Sequence, residues 1–234
     1  MAQGAHHLGT MAREVTRRTL REVVLAKPQQ ATLREQAMPQ RTDTTPTDIR
    51  LICGLGNPGA DYERTRHNAG FLTIDAIARR ERVSYWRREV GCLTCRLRHK
   101  GPDGTLREVV LAKPQGYMNT SGGPLSKLMR ELGLAPTQIL VVHDEVDLSA
   151  GTVSVKLGGG LNAHNGLRSI ANKLGTRDFA RVRVGTGRPP GRMSVADFAL
   201  RQLKGNFLTD FELTCESAAD VCISILERGL PRQA

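Results

Sequence analysis

The sequence predicts one α/β domain over residues 49–234, with a twisted, mixed and mostly parallel sheet flanked by helices on both faces, behind an N-terminal extension of residues 1–48. Three observations carry this prediction. From residue 49 onward, strand-like apolar runs alternate with stretches of helical period. Several of those runs are continuously aliphatic, as strands buried on both faces are. One pair of runs is joined by a short KGPDG turn, which places an antiparallel hairpin inside the interleaved pattern.

Residues 1–48 are rich in Gln, Thr, Arg and Pro, show one short amphipathic stretch around Val15, Leu20, Val23 and Val24, and read as disordered. They contain TLREVVLAKPQ at 19–29, which recurs letter for letter at 105–115. No further copies follow at a fixed period, so this is not a repeat array. The second copy has a hairpin partner in CLTCRLRH, whereas the first has none; it reads as a displaced duplicate able to compete for the strand's own place. Glu14, Glu22 and Glu35 disfavour an Arg-rich targeting segment.

The first strand is expected over 49–55, and the spacing of Phe71, Ile74 and Ala78 predicts a helix over 70–82. The hairpin strands follow at 92–99 and 106–112. A helix over 121–132 takes Ser121 as N-cap and Gly133 as C-cap. Strands at 139–143 and 152–157 precede a helix over 165–174, with Asn165 placed to cap its start and Gly175 its end. A strand at 180–185 and a helix over 208–228, stopped by Gly229, complete the chain.

The formal charge is +11, of which +9 belongs to residues 49–234, so the folded part itself invites a polyanionic partner, nucleic acid first. No apolar stretch approaches the roughly 20 residues that a membrane span needs, and a soluble, cytoplasmic protein is expected. Five cysteines are an odd number and fit reduced, buried thiols. Cys92 and Cys95 form a lone C-x-x-C without the second pair that a zinc ribbon requires.

Gly54, Gly56 and Gly59 satisfy G-x-G-x-x-G after the first strand, but the polar ADYERTRHNAG that follows starts no helix at the loop. A pyrophosphate would find no helix N-terminus there, so the dinucleotide reading is set aside. Working groups in such sheets gather beyond the carboxyl ends of strands. Four loops qualify: one with Asn57, His67 and Asn68; one with Tyr117, Met118 and Asn119; one with His143, Asp144, Glu145 and Asp147; and KLGGGLNAHNG, with Lys156, His164 and Asn165. None offers a nucleophile elbow. Water activated by His67, with Asp144 fixing the imidazole tautomer, is the favoured chemistry. Asn57, Asn119 and Asn165 supply amides that both donate and accept, as an ester or peptide carbonyl requires. A metal centre drawn from the histidines and aspartates lacks any local ligand spacing, and neither metal nor cofactor is expected.

The ordered motifs GLGNPGADYERTRHNAG, YMNTSG, HDEVDL, KLGGG and HNGL, followed by RVRVGTGRPPGR, closely resemble the bacterial peptidyl-tRNA hydrolase family over roughly residues 49–230. The resemblance implies cleavage of the ester between a peptide and the terminal ribose of tRNA, without metal or organic cofactor, by a monomer. It implies His67 as catalytic base, Asp144 as its orienting carboxylate and Asn57 as a catalytic-site amide. It further implies Asn119 and Asn165 as substrate amides, Met118 beside the peptide path, and Tyr62 and Asn68 in the cleft. Lys156 and Arg183 would hold the tRNA 5′-phosphate region. The alternative is a non-catalytic tRNA- or RNA-binding relative of the same fold. Two features depart from the family: Ala163 stands where glycine usually precedes His-Asn, which strains the loop if positive φ is needed, and the N-terminal extension is foreign to it.

Overall fold

The computed structural model describes residues 44–45 and 48–231; the first copy of TLREVVLAKPQ and the rest of the extension lie outside them. In chain order the elements are β1 (Thr44–Thr45), β2 (Leu51–Gly54), α1 (Ala69–Arg80), β3 (Arg87–Glu89), β4 (Cys92–Lys100), β5 (Leu106–Pro114), α2 (Gly122–Glu131), β6 (Ile139–Glu145), β7 (Val153–Leu157), α3 (Asn165–Leu174), β8 (Ala180–Gly185), α4 (Val195–Leu200), α5 (Asn206–Arg228) and β9 (Leu230–Pro231). Seven strands form one sheet in the order β3-β4-β5-β2-β6-β8-β7, and β1 pairs with β9 separately.

The mixed sheet with helices on both faces forms as the sequence predicts, but it is not mostly parallel: three of its six strand pairs are antiparallel, because β3, β4 and β7 each run in the opposite direction to the inner neighbour they join. Its parallel pairs, β5–β2, β2–β6 and β6–β8, occupy the centre, and its antiparallel pairs, β3–β4, β4–β5 and β8–β7, occupy the flanks. Parallel strands need both faces covered, and β6, ILVVHDE, is buried at every residue. Alternate residues feed two cores. Ile52, Leu111, Leu140 and Val182 meet α1 and α5 through Ile74, Ile77, Ala218 and Cys222. Leu51, Val110 and Val141 meet α2 and α3 through Leu125, Leu128, Leu167 and Ile170.

The second copy of the duplicated segment supplies β5, which pairs with β4 in register from Cys92↔Pro114 to Lys100↔Leu106. The KGPDG turn closes that hairpin as expected, with Gly101 N–H donating to Thr105 O at 2.9 Å and Thr105 N–H to the Asp103 carboxylate at 3.0 Å.

The glycines after β2 serve packing. A Cβ on Gly54 would stand 2.3 Å from Gly70 O, and one on Gly70 would stand 2.1 Å from Leu55 N. Strand β2 and helix α1 therefore cross backbone to backbone, and α1 begins only at Ala69, well past the glycine loop. All five cysteines are free and buried. Burial pushes the Cys92 thiol up to about 12 and Cys95 up to about 11, so neither is a nucleophile near neutral pH.

Three local expectations are corrected. Ser121 does not cap α2: its backbone is already helical and its hydroxyl donates to Met118 O at 2.9 Å. Asn165 does not cap α3, because His164 does. Strand β7 runs antiparallel to β8, with Leu157 opposite Ala180 and Val153 opposite Val184. Its carboxyl end therefore lies at the opposite end of the sheet from those of β5, β2, β6 and β8, and residues 158–164 must travel back along the sheet to reach the other loops.

Candidate active site

Strand β2 and helix α1 are joined by a loop that Asn68 clasps. The Asn68 side-chain oxygen accepts Asn57 N–H at 2.8 Å, and its amide donates to Asn57 O at 3.0 Å. This clasp fixes the short 3-10 turn Arg66–Asn68 that carries His67 just ahead of α1. Asn68 is buried, and its side chain makes both of these bonds to the Asn57 backbone, so it positions Asn57 and the His67 turn.

Asn57 is held from a second side. Met118 N–H donates to Asn57 Oδ1 at 2.7 Å, which occupies the acceptor and leaves Nδ2 as the group able to donate to a substrate oxygen. Met118 itself is buried beneath Gly166, where an added Cβ would come within 2.5 Å of its sulfur. Asn119 and Asn165 are exposed, the first on the turn after Met118 and the second at the first residue of α3. Tyr62 is half-buried, its ring edge-on to the exposed Tyr117 at 6.5 Å between centroids.

Asp144, near the end of β6, is where the loops converge. Its Oδ1 lies 2.9 Å from His67 Nδ1 and 3.1 Å from His164 Nε2. The pairing of His67 with Asp144 expected from sequence is therefore formed. Tautomers follow from the neighbours. His164 Nδ1 accepts Gly166 N–H at 3.1 Å and Leu167 N–H at 3.4 Å, capping α3, so its proton resides on Nε2 and is donated to Asp144. His67 donates from Nδ1 to the same carboxylate, which leaves its Nε2 lone pair free to accept a proton.

The same bonding argues against an ion among His67, Asp144 and His164, whose ligand atoms lie within 4.8 Å of one another. Ligation through His164 Nε2 would move its proton to Nδ1, facing the two helix amides that Nδ1 now accepts, and would uncap α3.

Electrostatics set the roles apart. Burial of the His67 ring disfavours its charged form, but the charge and hydrogen bond of Asp144 together outweigh this and raise its pKa above the ordinary 6.5. For Asp144, burial would raise the pKa, yet the two imidazoles hold it well below the usual carboxylate range. His143 is fully buried and kept neutral, first by burial and then by His164; its Nδ1–H donates to Asp144 O at 2.7 Å and its ring meets His164 edge-on.

Lys156 and Arg183 lie on the paired strands β7 and β8, Lys156 opposite Arg181 and Arg183 opposite Ser154, and this offset of two residues keeps them on the same face. Arg183 Nε donates to Glu145 Oε2 at 3.1 Å, so Arg183 presents a guanidinium already half engaged. Glu145 is a buried hub that also accepts Asn162 Nδ2 at 2.9 Å and Asp147 N–H at 3.2 Å.

Sequence reasoning missed Arg181 and the roles of two loop residues that it did name, His164 and Glu145. His164 stood among the loop groups and possible metal ligands, although a histidine directly before a helical period is able to cap it. Arg181, 1% exposed, donates to Gly158 O and to Gly160 O and so ties the glycine loop to β8; its burial could be read only from the register of that strand. Glu145 continues the apolar run of β6 without any pattern to mark its partners.

The strain expected at Ala163 is present. Asn162 and Ala163 both adopt positive φ, at 45° and 58°. Non-glycine residues pay about 1–2 kcal/mol there. Ala163→Gly is expected to stabilise the protein by about 1 kcal/mol, after allowance for the freer unfolded chain, read as a higher urea midpoint at unchanged slope.

Comparison with known proteins matches this geometry to a family. The family model described as peptidyl-tRNA hydrolase matches residues 51–234. Peptidyl-tRNA hydrolase from Rhodococcus erythropolis is 45% identical over 185 residues, covering 79% of this chain and 95% of the relative. The Nocardia farcinica protein of that name is 46% identical over 187 residues, covering 79% and 93%. The crystal structure of peptidyl-tRNA hydrolase from Acinetobacter baumannii superposes with a TM-score of 0.66 at 31% identity, covering 80% of this chain and 92% of that one. With nearly all of its described residues spanned by the family model and close relatives over the same region, this chain belongs to the peptidyl-tRNA hydrolase family.

Proposed function

We propose that the chain hydrolyses the ester of peptidyl-tRNA, releasing free tRNA and peptide, with His67 as general base. The observation that carries this reading is the 2.9 Å contact of His67 Nδ1 with Asp144, which leaves Nε2 unprotonated. Nε2 takes a proton from water as its oxygen attacks the ester carbonyl. The developing oxyanion is met by Asn57 Nδ2–H, whose direction is fixed because Met118 N–H holds the other end of that amide. Collapse of the tetrahedral species expels the ribose oxygen, which receives the proton held by His67. Asp144 stays ionised throughout and stabilises the transient imidazolium.

Asn119, Asn165 and Met118 line the peptide path and Tyr62 its edge. Lys156 and the free nitrogens of Arg183 take the phosphates of the tRNA acceptor end, a contact that salt weakens. Residues 49–234 form the working domain, active as a monomer in the cytoplasm. Among the described residues no helix is long and apolar enough to cross a membrane.

The test is direct. Incubated with N-acetyl-aminoacyl-tRNA, the full chain is expected to release the blocked amino acid catalytically; tight tRNA binding without release favours a non-catalytic RNA-binding relative instead.

A further inference from the structure

His143 is buried beside the Asp144 cluster, and the mechanism gives it no proton to move. On β6 it shares the parity of Ile139 and Val141, which face α2 and α3, so it lies beneath the start of α3 and the cap that His164 makes there. We propose that His143 is a positioning residue for the hydrolysis, its Nδ1–H holding the Asp144 backbone in place of a sheet bond that is lost where the cleft opens. The inference rests on the reading of the function given above and adds to it a residue that touches no substrate.

The sheet itself shows which bond is lost. Along a parallel strand, the backbone groups of successive residues point to opposite neighbours. On the β2 side of β6, Val142 O accepts Leu55 N–H at 2.9 Å, and there the pairing ends, because the chain leaves the sheet to form the loop of Asn57 and His67. On the β8 side, Glu145 O still accepts Thr186 N–H at 3.1 Å. The next carbonyl facing the vacated side is that of Asp144, and His143 Nδ1 stands 2.7 Å from it. A carbonyl only accepts, so the ring proton is on Nδ1, and Nε2 is left as a buried acceptor without a partner. A buried imidazole with one nitrogen unpaired points to the bond that the other nitrogen makes. The ring also meets His164 edge-on, at 5.0 Å between centroids. Both the backbone of Asp144 and one of the two donors on its carboxylate therefore rest on His143. The charged or titratable groups facing His143 are His164, Asp144 and Arg181.

Two variants separate the bond from the packing. His143→Phe keeps a ring against His164 and loses the donor; His143→Asn loses the ring but brings an amide N–H to the place of Nδ1. With all forms assayed below the lowest of their melting temperatures on N-acetyl-aminoacyl-tRNA, His143→Phe is expected to lower kcat about tenfold at a KM within about twofold of the parent's. His143→Asn is expected to recover most of that loss, although it leaves a cavity and melts lower. The His67 pKa, followed by NMR titration of the full chain without substrate, should fall in His143→Phe and return toward the parent's in His143→Asn. A kcat and a His67 pKa in His143→Phe equal to the parent's, or a greater loss of kcat in His143→Asn than in His143→Phe, overturns the proposal and leaves His143 a packing residue. If the parent releases no blocked amino acid, the hydrolase reading fails, while the titrations still decide: a fall that His143→Asn reverses supports the positioning role, and an unmoved His67 pKa overturns it.

Discussion

Replacing His67 by alanine is expected to reduce kcat for N-acetyl-aminoacyl-tRNA by about 10³- to 10⁴-fold while leaving tRNA affinity within about twofold of the parent. The size follows from the work assigned to a positioned base, roughly 10² to 10⁴ in rate. The upper end applies because neither other imidazole of the cluster can replace it: His164 spends Nδ1 on the cap of α3 and Nε2–H on Asp144, and His143, whose Nε2 has no partner, is buried away from solvent. Affinity is spared because the proposed phosphate contacts, Lys156 and Arg183, stand on β7 and β8 and make no hydrogen bond to the His67 turn. His67 is partly exposed at the surface, its side chain retaining 16% accessibility, so its removal leaves no sealed cavity. Single-turnover release and filter binding, run side by side, check both halves of the expectation.

The second large effect is expected at Asp144. Asp144→Asn keeps the shape but removes the charge that two imidazoles share, and kcat should fall about 10²- to 10³-fold. Two causes act together. Without the anion, the imidazolium formed at His67 during proton abstraction loses its stabilising partner. The carboxamide also presents a donor as readily as an acceptor, so His67 is no longer held with its proton on Nδ1. Because His164 caps α3 while donating to the same carboxylate, the variant is expected to lose stability as well, by about 1–3 kcal/mol, the usual cost of a buried polar group left without its partner.

Much of this was legible in the sequence, and the boundary of what was not is physical. Strands β2, β5 and β6 announced themselves because parallel strands buried on both faces leave uninterrupted aliphatic runs. The direction of β7 did not, since its alternation of Val153, Ser154, Val155 and Lys156 is the same read either way along the sheet. Strand β3 is three polar residues on the sheet edge, with no apolar pattern to reveal it. Helix α4 had a readable signal that was passed over: Ser194 caps Asp197 N–H at 3.0 Å, a serine with an acid three residues on. At the site, His67, Asp144 and Asn57 were legible because catalysis draws on loops after strands and on few residue types. The clasp of Asn68 on the backbone of Asn57, eleven positions away, was not legible, because such a bond leaves no trace in residue type. The bond from His164 to Asp144 depended on the 158–164 segment turning back along the sheet, which followed only from the orientation of β7.

The account turns on a neutral His67 whose pKa the neighbouring carboxylate raises, and the pH dependence of kcat/KM on N-acetyl-aminoacyl-tRNA tests it most directly. The base works unprotonated, so activity should fall as pH drops through the His67 pKa, on a limb centred above the ordinary 6.5. In Asp144→Asn the residual activity should show that limb at lower pH, because the carboxylate charge that raises the pKa is gone while burial of the ring remains. A parent profile flat from about pH 5 to 8, or a limb that stays in place when Asp144 loses its charge, would contradict the assignment of His67 and Asp144 as base and orienting acid.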